Sequence, residues 1–494
     1  MLKETKIENL IHHCGCSRRR FMAATGSLLA VRATTAFAAE VGISIEPFRE
    51  KPIAQAGPAS KYRSRIQVAF VRRKGDYGMR WPGAIYDGEA AFEKYRGLIQ
   101  ETAKQLGMDV EIRPEPIYSP EEADEWFAKL DEKKPDGLLL VLLDRQEHAW
   151  PTATKAVDHP IPAIIFAPIG AAFTTNTAPL AEKDGAFICS TDNFDQVRYG
   201  MKMIHAGARL RETRFVVLKG SERRDEEIPR IGTKIRYIPA SDFAEIYHQT
   251  PTSSEIQGIA DEYLKNATRV SGPTREDVLN GVKSFVVART ILEREEADGI
   301  SMDCLGALGP TEISLPCIAW SRMLDHGIPA ACEADIGACL THALVQYLFD
   351  RPGFQQDPVP DTANDCLIGA HCTCPTRLGG FDKDPEPYHL SPHHGNRDAV
   401  PVPQWRSGQR ATVTDLLLPK NSEGKPEMII ATGDVVGNIA VPPAGGCVVS
   451  VSLKMDGDPS LLAFPGFHQL FFYGDYKKEL KAYCLLQGLD IQVV

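Results

Sequence analysis

Gly137-Leu138-Leu139-Leu140-Val141-Leu142-Leu143 is an unbroken apolar run, without the polar alternation of a half-exposed strand. A strand of this kind is covered by helices on both faces, as in a parallel sheet. Residues 163–166 repeat the pattern, and Ile66-Gln67-Val68-Ala69-Phe70-Val71 is a further strand upstream. Between them Phe92, Tyr95, Ile99, Ala103 and Leu106 recur at three- to four-residue steps, which predicts a helix that Gly107 can close. Another strand follows at residues 108–112. The first part of the chain therefore reads as α/β.

The same alternation restarts after Gly185, with strands at 215–218, 234–238 and 299–302 and a long helix around 278–295. Residues 329–332 read as a strand leading into a helix at 336–348. Beyond Arg351 the texture changes to loops rich in Pro, His and Gly, then to β segments at 412–418, 428–432 and 447–455. The chain closes with residues 468–473, a helix over 476–487 stopped by Gly488, and a last strand to Val494. The expected organisation is an α/β domain over 63–184, a second over 185–350 and a β-rich domain over 351–494. Residues 39–62, with three prolines and no periodicity, read as a linker.

Length agrees with this division, since 494 residues at about 150 per domain give about three. The composition, 43% hydrophobic and 24% charged, is ordinarily globular. With a formal charge of −10 and no local basic face, a nucleic-acid partner is not expected. At the N-terminus Ser17-Arg18-Arg19-Arg20-Phe21-Met22, a short charge-free run to Val31 and the small-residue site Ala36-Phe37-Ala38 match a twin-arginine export signal over residues 1–38. Its removal takes six basic and two acidic residues and moves the charge to −14. The run is far shorter than the ~20 residues that span a bilayer, so no membrane anchor is expected. The expected location is periplasmic or otherwise extracytoplasmic. Ten of the twelve cysteines remain, spread through a large chain, and read mainly as buried small apolar residues, with room for a bridge or two.

Several standard sites are absent: a Walker loop, a G-x-G-x-x-G after a strand, an H-E-x-x-H and a G-x-S-x-G elbow. What remains is carboxylates and histidines at the ends of predicted elements. Glu312 follows the 299–302 strand, and Glu333 and Asp335 stand at the carboxyl end of the next strand, where open parallel sheets bind ligands. Either these carboxylates converge on a cation, or Asp335 caps the helix that follows it.

The stretch Ala331-Cys332-Glu333-Ala334-Asp335-Ile336-Gly337-Ala338 resembles the E-x-D segment of the L-fucose isomerase family. Gly466-Phe467-His468-Gln469-Leu470-Phe471-Phe472-Tyr473-Gly474-Asp475 resembles that family's closing G-x-[NH]-H…Y-G motif. Asn364-Asp365 and Gly369-Ala370-His371-Cys372 extend the likeness, which spans most of residues 60–494. It implies two Rossmann-like α/β domains followed by a β-rich domain. It also implies a divalent metal, usually manganese, held by a Glu, an Asp and a C-terminal His. Asp335 and His468 match the last two; Glu312 is the first match to the glutamate, with Glu333 its rival. A hard O/O/N set suits Mn²⁺ or Mg²⁺. The implied reaction is aldose–ketose interconversion through an enediolate, with the metal as Lewis acid, Glu312 as base and Asp335 as ligand and partner acid. Phe467 stands where the family tends to have Asn, and Asp475 where a His often follows, so substrate contacts are expected to differ.

His371-Cys372-Thr373-Cys374 either binds a soft metal or lines the sugar pocket. The loop around residues 388–397, with His393 and Asn396, either supplies hydroxyl contacts or is merely solvated. Trp405 either stacks on a sugar face or packs in the core. Glu333 and His371 are further candidates for substrate contact. The mixed-charge stretch from Arg289 to Asp298 reads as a solvated helix face. The partner is then a monosaccharide or sugar derivative, and a homo-oligomer is compatible with this class. A sugar-binding protein of the exported kind, or a lyase or epimerase on the same metal site, is the alternative.

Overall fold

A computed structural model describes residues 49–78, 85–145, 147–393, 397–421, 424–440 and 447–494. The expected export signal and Asn396 lie outside these residues. Residues 51–494 form one compact unit. No helix among the described residues is long and apolar enough to cross a membrane.

The first sheet runs β2 (Asp109–Ile112), β1 (Arg65–Val71), β3 (Gly137–Leu142), β4 (Ala163–Ala167), β5 (Ala186–Ser190), with every pairing parallel. All six residues of β3 and all five of β4 are buried, which is why they carry no polar alternation. The helix Gly88–Leu106 lays Phe92, Tyr95, Ile99 and Ala103 on this sheet. Asp87 caps its start by accepting from the Ala90 N–H at 2.9 Å, and Gly107, at φ 69°, ends it in the left-handed conformation that glycine adopts freely.

A second sheet has the order β10 (Ala330–Cys332), β9 (Gly299–Met302), β6 (Arg214–Leu218), β8 (Lys234–Ile238), β7 (Arg224–Glu227). Its first four strands are parallel, and β7 runs antiparallel along the edge. The boundary expected after residue 184 is displaced, because β5 pairs with β4 and belongs to the first sheet. The change of sheet is made by the helix Asp195–Glu212, which also packs on β4 and β5.

The third sheet is antiparallel and closed. Strands β15 (Arg410–Leu417), β18 (Gln469–Tyr473), β11 (Phe354–Asp361), β12 (Cys366–His371), β17 (Val449–Met455) and β16 (Glu427–Asn438) follow in that order, and β16 pairs back to β15. Closure leaves no free edge within this ring of six. Strand β19 (Asp490–Val493) adds in parallel to β16, and β13 (Tyr388–His393) and β14 (Arg397–Pro403) form a separate hairpin. The fold is thus mixed α/β, with two largely parallel sheets and a C-terminal antiparallel barrel.

Two expectations are corrected by carboxylates that hold buried or part-buried donors. Part of the supposed linker is docked: the Asp298 carboxylate accepts the N–H groups of Ala59 at 3.1 Å and Ser60 at 3.0 Å, as well as that of Arg214 at 3.0 Å. Nor is the stretch from Arg289 to Asp298 a solvated face. The Arg289 guanidinium is buried and donates to both oxygens of the buried Glu255 at 2.7 and 2.8 Å, while buried Glu295 accepts from Arg223 and Arg294. Removing one member of a buried pair strands the other charge. We therefore expect Arg289→Ala to lower unfolding stability by about 3 to 5 kcal/mol, measured by urea denaturation.

Candidate metal centre

Strand β10 ends at Cys332, in register with Met302 of β9. The two residues that follow, Glu333 at φ 62° and Ala334 at φ 54°, are both left-handed although neither is glycine. This conformation costs an L-residue about 1–2 kcal/mol, so the tertiary structure holds the turn in place. Ala334 N–H donates to the Met302 carbonyl at 3.0 Å, and Asp335 then caps the helix Ile336–Phe349 by accepting from the Ala338 N–H at 3.0 Å. The turn brings Glu333 to the barrel.

Three adjacent barrel strands meet it there. His371 is the last residue of β12, Asp357 lies on β11, and His468 directly precedes β18. Gly466, at φ 89°, turns the chain so that Phe467 faces outward, 67% exposed, and His468 inward, 1% exposed. Glu333 Oε1 is 3.7 Å from His371 Nε2, and Glu333 Oε2 is 3.8 Å from His468 Nε2. Glu333, His371 and His468 each offer a ligand atom within 4.8 Å of the others, and the group can hold a metal ion.

His468 supplies the test of fit. Its Nδ1 lies 2.8 Å from Asp335 Oδ2. A carboxylate can only accept, so Nδ1 carries the proton; burial opposes ionisation of the ring, but Asp335, Asp357 and Glu333 outweigh it and raise its pKa, and a cation that displaces the second proton meets a lone pair at Nε2. That Nε2 is buried and has no hydrogen-bond partner, as is His371 Nδ1. A carboxylate behind one ring nitrogen and an open second nitrogen is the usual outer-shell arrangement of a metal-ligating histidine. Asp357 Oδ1, 3.4 Å from the same Nε2, adds a further oxygen at the site.

The electrostatics favour a cation. Burial raises the pKa of Glu333, and Asp357, Asp335 and Asp303 add to the rise while His468 opposes it. Burial likewise raises Asp357. Asp415 on β15 is pushed up to about 7 by burial and by Asp335. Burial also disfavours ionised Asp335, but the hydrogen bonds from His468 and the Ala338 N–H outweigh it and hold its pKa below the usual range. His371 is pressed to about 3 by burial and by the neighbouring His468, His393 and His342, which leaves it a neutral imidazole.

Glu312 is exposed and has no part in this group. Strand β9 delivers Asp303 at its end, and Asp303 caps the short helix Cys304–Leu308 that carries the chain away before Glu312 is reached. Glu333, the rival, occupies the position beside the two histidines. Asp335 realises the helix cap and at the same time bonds His468, and is not among the three residues whose ligand atoms converge. We expect Glu312→Gln to leave metal content unchanged and stability within about 0.5 kcal/mol, as for an exposed site. Glu333→Gln should lower metal content, read by elemental analysis of the two purified variants.

Trp405 is 2% exposed and packs edge-on to Tyr473 at 5.1 Å and tilted against Phe354 at 5.9 Å, so it is a core residue and cannot stack on a sugar. His393 is buried at the end of β13. Cys374 is fully buried, and the ligand group includes His371 but no thiol. Asp357 was not foreseen, because Gln355-Gln356-Asp357-Pro358 has neither alternation nor motif to mark it.

No protein-family model matches the chain, and no curated protein does. Among solved structures it is similar to a sugar-binding protein of a sugar ABC transporter from Bacillus halodurans, at 15% identity, covering 61% of this chain and 91% of that one with a TM-score of 0.18. A likeness this low carries no argument.

Proposed function

We propose that this chain is a metal-dependent enzyme of the L-fucose isomerase-like class, exported by the twin-arginine route, that interconverts an aldose and a ketose through an enediolate. The observation that carries the reading is His468, with Nδ1 held by Asp335 and a buried Nε2 that makes no hydrogen bond and faces Glu333, Asp357 and His371. The junction of a parallel sheet's carboxyl edge with a β-barrel supports it, as do the sequence motifs around residues 333–335 and 468. One carboxylate, two imidazoles and nearby Asp357 suit a divalent ion with oxygen and nitrogen preference, with Mn²⁺ the first choice. Such an ion, when bound, polarises a substrate carbonyl and steadies negative charge on its oxygens.

The chain's own residues supply the rest. Asp357 is 38% exposed at its side chain, so a substrate can reach it, and its raised pKa suits a group that takes a proton from one carbon and returns it to the next. Phe467, with its ring 4.3 Å from that of His468, offers an exposed aromatic face for a sugar. The test is to measure bound metal in the purified protein and follow deuterium uptake from solvent into a panel of aldoses, with and without chelator. Metal-dependent exchange at C1 or C2 with a ketose product is the expected result. Exchange that yields cleavage or an epimer points to the lyase or epimerase. Tight sugar binding with neither metal nor exchange overturns the enzyme in favour of a binding protein.

A further inference from the structure

Ten cysteines are described, all as thiols, and eight of them are buried. The two that are not, Cys372 and Cys447, stand together. Strand β12 ends at His371, which pairs with Val449, the first residue of β17. Cys372 is the next residue after His371, and Cys447 comes two residues before Val449, so the two leave the ends of neighbouring antiparallel strands as diagonal neighbours, one position out of register. Adjacent strands lie about 4.8 Å apart. With a one-residue offset of about 3.3 Å along the strand the two Cα atoms come roughly 6 Å apart, within the roughly 4.4–6.8 Å that a disulfide spans. The side chains meet as well, since the two thiols hydrogen-bond one another. Pairing, contact and partial exposure coincide at this one pair.

We propose that Cys372 and Cys447 are a redox-modification site, forming a reversible disulfide that ties the His371-bearing end of β12 to the start of β17. With an oxidised low-molecular-weight disulfide such as glutathione disulfide as oxidant, one thiol attacks it as a thiolate and releases one glutathione. The second thiol then displaces the other glutathione from the mixed disulfide. Two electrons and two protons pass to the two glutathione thiols, one S–S bond breaks and one forms. The buried cysteines are shielded from such an oxidant. The bridge does not depend on the metal reading, because its readout is a covalent link.

The whole purified protein is equilibrated in oxidised or reduced glutathione, trapped with an alkylating agent and digested without reductant. A peptide linking Cys372 to Cys447 should appear after oxidation and vanish after reduction. The oxidised form should also melt at a higher temperature, since the bridge closes a long loop in the unfolded chain. Cys447→Ser and Cys372→Ser should each abolish both the linked peptide and the oxidation-dependent shift. Separate alkylation of the two thiols under all conditions overturns the proposal. So does a stable mixed disulfide with glutathione, or a link between two chains.

Discussion

His468→Ala is expected to empty the metal centre, lowering affinity by more than the roughly 10- to 100-fold that loss of an orienting partner costs, because a ligand itself is removed. His468 is the one ring in contact with every other part of the group. Its Nδ1 holds Asp335 at 2.8 Å, and its Nε2 lies 3.8 Å from Glu333 and 3.4 Å from Asp357. Truncation leaves Glu333 and His371 with no third donor at that position. It also strands the buried side of Asp335, which keeps only its helix N–H groups, at a cost of about 1–3 kcal/mol in the apoprotein. Metal content after dialysis and urea unfolding of the apo form measure the two effects separately. A variant that retains one ion per chain would mean that Glu333, His371 and Asp357 form the ligand set without His468.

The parts of the fold that could be read in sequence are those buried on both faces. Strands β3 and β4 show as continuous apolar runs because no residue of either meets water. Strand β7, Arg224-Asp225-Glu226-Glu227, is exposed at every position and carries no hydrophobic signal at all. Barrel closure was equally silent, since it depends on the pairing of β15 with β16 and on β11, whose Gln-Gln-Asp-Pro-Val-Pro-Asp run lacks a period of two. At the site, residue types and order drew attention to Glu333, Asp335, His371 and His468. Their roles depend on direction. The left-handed turn at Glu333 and Ala334 sends one carboxylate to the histidines and leaves the next to cap a helix, and no spacing rule distinguishes these. Glu312 stands apart for a related reason: its place after the 299–302 strand takes no account of the helix Cys304–Leu308, which carries the chain away from β9.

Asp335→Asn separates the two duties that converge on this residue. Asparagine is as good a helix cap as aspartate, so the bond from the Ala338 N–H to residue 335 should survive and stability should change little. What is lost is the charge behind His468. A neutral amide oxygen still accepts from Nδ1–H, but it no longer raises the basicity of Nε2, and metal affinity should fall about 10- to 100-fold. Asp335→Ala removes the acceptor as well as the charge and should add about 1 kcal/mol of destabilisation through the lost cap. Competition with a chelator of known strength gives the affinity of each variant, and thermal unfolding of the apo forms gives the stability. The expected pattern is a shared loss of affinity with a loss of stability confined to alanine. If asparagine binds metal as tightly as aspartate, the carboxylate serves the helix alone and His468 is oriented by the packing of β18 against β11.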